Sequence, residues 1–177
     1  EEVKEKGDEL ICILLSSALS GTCQSAQLAR SMADYDKIYI VDSLSAVVAI
    51  RILCDTALDM AAKGNTAQEI VEALEELKGR TQIFAAVDTL EYLAKGGRIS
   101  KAAAAIGDMA NLKPIITVSR EGSVEVVGKG IGVNRTLSAI QKKSQPSRLR
   151  ELSGIFTFSY GEEKLCEIRT KNGKEWV

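Results

Sequence analysis

Short apolar runs that alternate with helical patterns constrain this chain's fold more than any other feature. Residues 9–15 read as a buried strand, continuous and apolar from Leu10 to Leu15, and residues 24–33 carry the pattern of the helix after it. Residues 37–41, Lys-Ile-Tyr-Ile-Val, form a second short strand that ends in Asp42-Ser43. A helical pattern follows over 45–63, closed by Gly64. The next helix has an explicit start signal. Thr66-Ala67-Gln68-Glu69 matches a capping box, and the helix it opens runs to about residue 78, near Gly79. Strands separated by helices imply crossover connections and a parallel sheet.

After residue 80 the pattern changes. Residues 82–87 read as a strand ending in Asp88-Thr89, residues 90–95 as a short helix ended by Gly96-Gly97, and the Ala-rich residues 100–110 as another helix. Residues 115–118 and 123–127 flank Arg120-Glu121-Gly122 and read as a β-hairpin. A helix is expected over 133–142, a loop over 143–150, a strand over 155–160 and a helix over 162–170. The fold class expected is α/β in two lobes, a parallel-sheet lobe over 1–80 and a mixed-sheet lobe over 81–177.

Composition narrows the chemistry. Among 177 residues, 45% are apolar and 27% charged, a globular balance. The formal net charge of −1, without a dense basic stripe, gives little support to nucleic-acid binding. No apolar run has the length to span a bilayer, and the expectation is a soluble, cytoplasmic protein. The four cysteines (Cys12, Cys23, Cys54, Cys166) are scattered and read as reduced thiols. There is no histidine, so a Ser-His-Asp or Cys-His mechanism cannot be built within the chain, and neither a metal nor a cofactor is expected.

The densest chemical signal is Ser16-Ser17-Ala18-Leu19-Ser20-Gly21-Thr22-Cys23-Gln24-Ser25, at the junction between the first strand and its helix. Free N–H groups at a helix N-terminus attract anions, Gly21 permits close approach, and Ser20 and Thr22 add hydroxyl donors. The competing reading is an ordinary helix cap with incidental serines, and the residues alone support both equally. Asp42-Ser43 and Asp88-Thr89 place an acid and a hydroxyl at strand ends, where ligands of open α/β sheets collect, or where a helix is simply capped. For Asp42, capping is the favoured reading. Arg98 after Gly96-Gly97 is either a surface charge or a guanidinium aimed at an anion. Gly128-Lys129-Gly130-Ile131-Gly132 matches no phosphate-loop spacing and reads as a flexible turn.

Four segments in order, SSALSGTCQSA, YIVDSLSA, VDTLEYLAKGGRIS and LKPIITVSREGSVE, resemble the DegV family of bacteria over about residues 8–140. The resemblance implies a two-lobed fold that binds a long-chain fatty acid. It also implies, for some members, service as the fatty-acid-carrying subunit of fatty acid kinase, without catalysis by the subunit itself. On the matching positions, it places the carboxylate at Ser20, Gly21 and Thr22, with Ser17 beside them, and assigns Arg98 to the head group or the partner face. Family members carry an upstream Thr-Ser-Gln-Pro loop and a histidine-bearing Gly-rich end, both absent here, so both lobes are expected to be incomplete. Two other readings remain open: an enzyme using Asp42 or Asp88 as general base on a small anionic substrate, and a truncated interaction domain.

Overall fold

The computed structural model describes residues 1–100 and 112–143. The elements expected over 155–160 and 162–170, the loop over 144–150 and the helix expected at 100–110, beyond Ser100, lie outside the described residues.

A charged helix that the apolar pattern gave no sign of, α1 (Glu2–Lys6), opens the fold and is closed by Gly7 at φ 72°. Lys4 Nζ donates to the carbonyls of Ala33 and Asp34, which ties α1 to the next helix's C-terminal end. Strands β1 (Leu10–Leu14) and β2 (Ile38–Asp42) pair in parallel, Leu10 opposite Ile38 and Leu14 opposite Asp42. Parallel pairing requires a crossover, and helix α2 (Thr22–Met32) supplies it. Helices α3 (Val48–Ala62) and α4 (Ala67–Lys78) then close a core in which Val41, Leu53, Ile70 and Leu74 are buried, with Ile11 and Ile13 of β1 packed against them.

The helix expected from residue 45 begins at Val48. Residues 43–47 are instead a tight connection: Leu44 and Val47 sit at φ 47° and 43°, a left-handed region that opposes helix entry. At α4 the capping box is complete. Thr66 Oγ1 accepts from the Glu69 N–H at 3.3 Å, and Glu69 Oε2 accepts from the Thr66 N–H at 2.8 Å. Removing this cap in Thr66→Ala should cost about 1 kcal/mol of stability, read from urea unfolding.

The Thr66 N–H and, after it, the Thr66 hydroxyl hold the exposed Glu69 carboxyl below its ordinary range. A depressed folded pKa stabilises the protein above the unfolded value and loses that contribution as pH falls through the folded one. Thr66→Ala keeps the N–H and removes only the hydroxyl's share of this effect, so its cost should be slightly smaller in acid than at neutral pH.

A second sheet lies wholly beyond residue 80. Strands β3 (Phe84–Ala86), β4 (Leu112–Val118) and β5 (Val124–Ile131) pair antiparallel in that order, with helix α5 (Glu91–Lys95) between β3 and β4 in the chain. Helix α6 (Gly132–Lys143) packs on the sheet and buries Thr136 and Ile140. The fold class is thus α/β with one parallel sheet and one separate sheet, whose described strands are all antiparallel.

The expected hairpin is present, but both strands are longer than the sequence pattern indicates. Pro114 belongs to β4, one position past the last pair in register with β3, Ala86 opposite Ile115; its carbonyl accepts from the Val87 N–H at 3.0 Å, a bond that needs no N–H from the proline. The expected turn over 128–132 is corrected. Gly128 to Ile131 continue β5, and the direction changes only at Gly132, φ 70°. The glycines serve packing. A Cβ on Gly130 would lie 2.1 Å from Thr136 Oγ1 and 2.6 Å from Thr136 Cα, so α6 sits directly on the β5 backbone.

Candidate functional site

The loop between β1 and α2 occupies the carboxyl end of the parallel sheet, the side on which open α/β sheets collect ligands. Ser16 in this loop is fully buried, whereas Ser17, Gly21 and Thr22, the residue that opens α2, are exposed. Helix α2 starts at Thr22 with Gly21 as its N-cap, so the cap residue offers no side chain to the first-turn amides. Ser20 Oγ and Thr22 Oγ1 lie 2.8 Å apart, and Ser20 Oγ also accepts from the Thr22 N–H at 3.3 Å. Two hydroxyls and the positive end of a helix thus converge on one exposed spot.

Arg98 reaches the same loop from the second sheet's half of the chain. Its Nε donates to the Leu19 carbonyl at 3.0 Å, and Nη1 donates to the carbonyl of Gly96. The sequence pairing of Arg98 with the Ser20–Thr22 loop is therefore a spatial one, with the guanidinium bonded to the loop's backbone. Ser17 contributes its N–H to Asp42, at 3.2 Å to Oδ1 and 3.4 Å to Oδ2.

Asp42 has a clear structural task. Its Oδ1 also accepts from the Leu44 N–H at 3.0 Å, so one carboxylate fastens the loop after β1 to the loop after β2. Lys78 Nζ donates to the Asp42 carbonyl at 3.1 Å and pairs with Glu75 at 2.6 Å. Asp88 pairs with Lys113, and Thr89 Oγ1 accepts from the Glu91 N–H at 3.1 Å, an arrangement that opens α5. Ser43 Oγ donates to the Ser45 carbonyl at 3.2 Å and accepts from the Ser45 N–H at 3.2 Å, so both Asp-hydroxyl pairs are engaged in structural bonds.

Cys23, at the first turn of α2, is only 2% exposed, and its thiol donates to the Leu15 carbonyl at 3.4 Å. A helix N-terminus ordinarily lowers a thiol pKa. Here burial, and after it the Asp42 carboxylate, push it up, which keeps Cys23 protonated at neutral pH. Cys12, Cys23 and Cys54 are free thiols, and Cys166 lies outside the described residues. Among the described residues no group of three or more acidic or cysteine side chains is placed to hold a metal, and no helix is long and apolar enough to cross a membrane.

A depression of about 450 Å³ lies near the other end of α2, lined by Gln27, Arg30, Ser31, Asp34, Tyr35 and Asp36. Its charged, open lining does not suit an acyl chain, and it is no part of the hydroxyl site. The residue that sequence reasoning missed is Ser16, whose Oγ donates to the Gly122 carbonyl at 2.8 Å across 106 positions of chain.

The fold is that of an α/β protein in which a hydroxyl-rich loop at the end of a parallel sheet bonds to the hairpin of a second sheet, whose described strands are antiparallel. The chain belongs to the DegV family: the model of an uncharacterised protein family of that name matches residues 1–167. The DegV domain-containing protein YteA of Lactococcus lactis is 37% identical over 141 residues, covering 77% of this chain and 49% of the relative. The crystal structure of a Eubacterium eligens DegV family protein loaded with heptadecanoic acid is similar at a TM-score of 0.74 and 28% identity, over 80% of this chain and 53% of the other. The Streptococcus pneumoniae Fatty Acid Kinase (Fak) B3 protein loaded with linoleic acid gives 0.69 and 27%, over 75% and 49%. The chain spans about half the length of the relatives it matches.

Proposed function

We propose that the protein binds a long-chain fatty acid, holds its carboxylate at Ser20, Gly21 and Thr22 beside Ser17 and Arg98, and presents it to a fatty acid kinase without catalysing a reaction itself. The observation that carries the reading is the pair of hydroxyls 2.8 Å apart at the start of α2, in a family with members crystallised with fatty acids. These hydroxyls bond to each other. A carboxylate placed between them would exchange that bond for two charge-assisted ones, each worth about 1.5–3 kcal/mol.

Affinity comes from the acyl chain. About a dozen methylenes removed from water contribute on the order of 10 kcal/mol before the cost of association. The loop then sets orientation, and the exposed carboxyl end faces the partner. The division into lobes near residue 80 belongs to the same proposal, and limited proteolysis should cut there first. Native mass spectrometry of the chain purified from bacterial cells is expected to show one bound long-chain fatty acid. A chain that carries none, and takes up none when offered octadecanoic acid, would overturn the reading.

A further inference from the structure

One fully buried hydroxyl joins the anion loop to the antiparallel sheet. Ser16 Oγ donates to the Gly122 carbonyl at 2.8 Å and accepts from the Ala18 N–H at 3.3 Å. The Ser16 N–H donates to the Ser45 carbonyl at 3.0 Å, and the Ser16 carbonyl accepts from the Leu19 and Ser20 N–H groups at 2.9 and 3.1 Å. Every polar group of this residue is therefore engaged. Its partners lie in three separate parts of the chain: its own loop, the loop after β2, and the turn of the β4–β5 hairpin.

Gly122 is shaped around the contact. It sits at φ +84°, and a Cβ there would lie 2.1 Å from Ser16 Oγ and 3.3 Å from Leu44 Cα. A buried hydroxyl must be hydrogen-bonded to be tolerated, and the partner chosen here is a backbone carbonyl of the other sheet. The Arg98 bond to Leu19 gives the loop a second hold on that half of the chain.

We propose that Ser16 is the positioning residue of the anion loop: the hairpin turn at Gly122 fixes Ser16, and Ser16 fixes the backbone that carries Ser20 and Thr22. What the loop receives rests on the fatty-acid reading above; how it is held does not. The site is then a joint product of the two sheets, and displacement of the hairpin displaces the hydroxyls.

Hydrogen exchange on the 177-residue chain without ligand tests the hold directly. Ser16→Ala should speed exchange at the Leu19 and Ser20 amides by about tenfold or more and leave the β1 and α4 amides at parental rates, because local opening is independent of global unfolding. Gly122→Ala, which drives a methyl into Ser16 Oγ, should give the same local pattern. Parental rates at Leu19 and Ser20 in Ser16→Ala, or a uniform rise across all elements, would overturn the proposal.

In binding, Ser16→Ala should weaken octadecanoic acid by about tenfold and leave 1-octadecanol within about twofold, a difference of about 1 kcal/mol. Equal losses for acid and alcohol would also overturn it. If the unaltered chain binds neither, the fatty-acid reading fails, and the exchange comparison still decides the role of Ser16.

Discussion

Replacing Gly130 by alanine should destabilise the protein by about 3 kcal/mol or more, the upper range for overpacking a close contact. The added Cβ would lie 2.1 Å from Thr136 Oγ1, 2.6 Å from Thr136 Cα and 2.8 Å from Thr136 Cβ. The nearest obstacle includes backbone, so a rotamer change at Thr136 cannot relieve it. Helix α6 must lift from β5, and Ile140, buried beneath it, loses packing as well. Gly128→Ala supplies the control two residues away on the same strand. Its Cβ meets Lys143 Cε at 3.3 Å, the far end of a flexible side chain, and should cost well under half as much. For a chain of this size, 3 kcal/mol corresponds to a fall in Tm of roughly 6–12 °C. Equal effects at the two glycines would show that neither is there for close packing.

The second large effect is expected in binding. Replacing both Ser20 and Thr22 by alanine should lower affinity for octadecanoic acid by roughly 2–4 kcal/mol, that is, about 30-fold to several hundredfold. Affinity for 1-octadecanol should change much less, since it presents no anion. Stability provides the control. The N-cap of α2 is Gly21, and the one backbone bond that Ser20 makes in the helix's first turn is the 3.3 Å contact from the Thr22 N–H. The double variant should lose less than the roughly 1 kcal/mol of a true cap, and that loss would be blind to the ligand's head group. Equal losses for acid and alcohol would mean that the hydroxyls are structural.

Local chemistry was legible in the sequence, and distant contacts were not. The capping box at Thr66 and Glu69 needs four consecutive residues, and it is present as the spacing predicts. The β1 run, the β2 run and the hairpin around Arg120-Glu121-Gly122 are likewise patterns of neighbours, correct to within a few residues at most ends. Strand β5 outran its expected end because Gly128 and Gly130 look like a loop when read locally; their purpose is contact with α6. Helix α1 was missed because its five residues carry no amphipathic pattern, and its Lys4 anchor lies about 30 positions downstream.

The site divides in the same way. Ser20, Gly21 and Thr22 are adjacent in sequence and stay together in space, so their hydroxyl cluster was visible from the residues. Ser16 looks like one more hydroxyl among five, since nothing near it announces Gly122 as its partner. For Asp42 the favoured helix-capping reading is corrected: the N-cap of α3 is Val47, with no side-chain bond, and Asp42 instead accepts from the Ser17 and Leu44 N–H groups, fastening two loops. The strained φ values at Leu44 and Val47 had no sequence signal either. They arise where that double fastening turns the chain into α3.

Whether a fatty-acid carboxylate sits at the Ser20–Thr22 loop, as proposed, is decided by a labelled ligand. Hexadecanoic acid carrying carbon-13 at the carboxyl, or in a separate sample at the terminal methyl, would be bound to the parent chain and to the Ser20→Ala/Thr22→Ala variant at saturating concentration. The carboxyl resonance should move between the two proteins, because its hydrogen-bond donors change, while the methyl resonance stays in place. A carboxyl resonance that is identical in both proteins, with ligand bound to each, would contradict it.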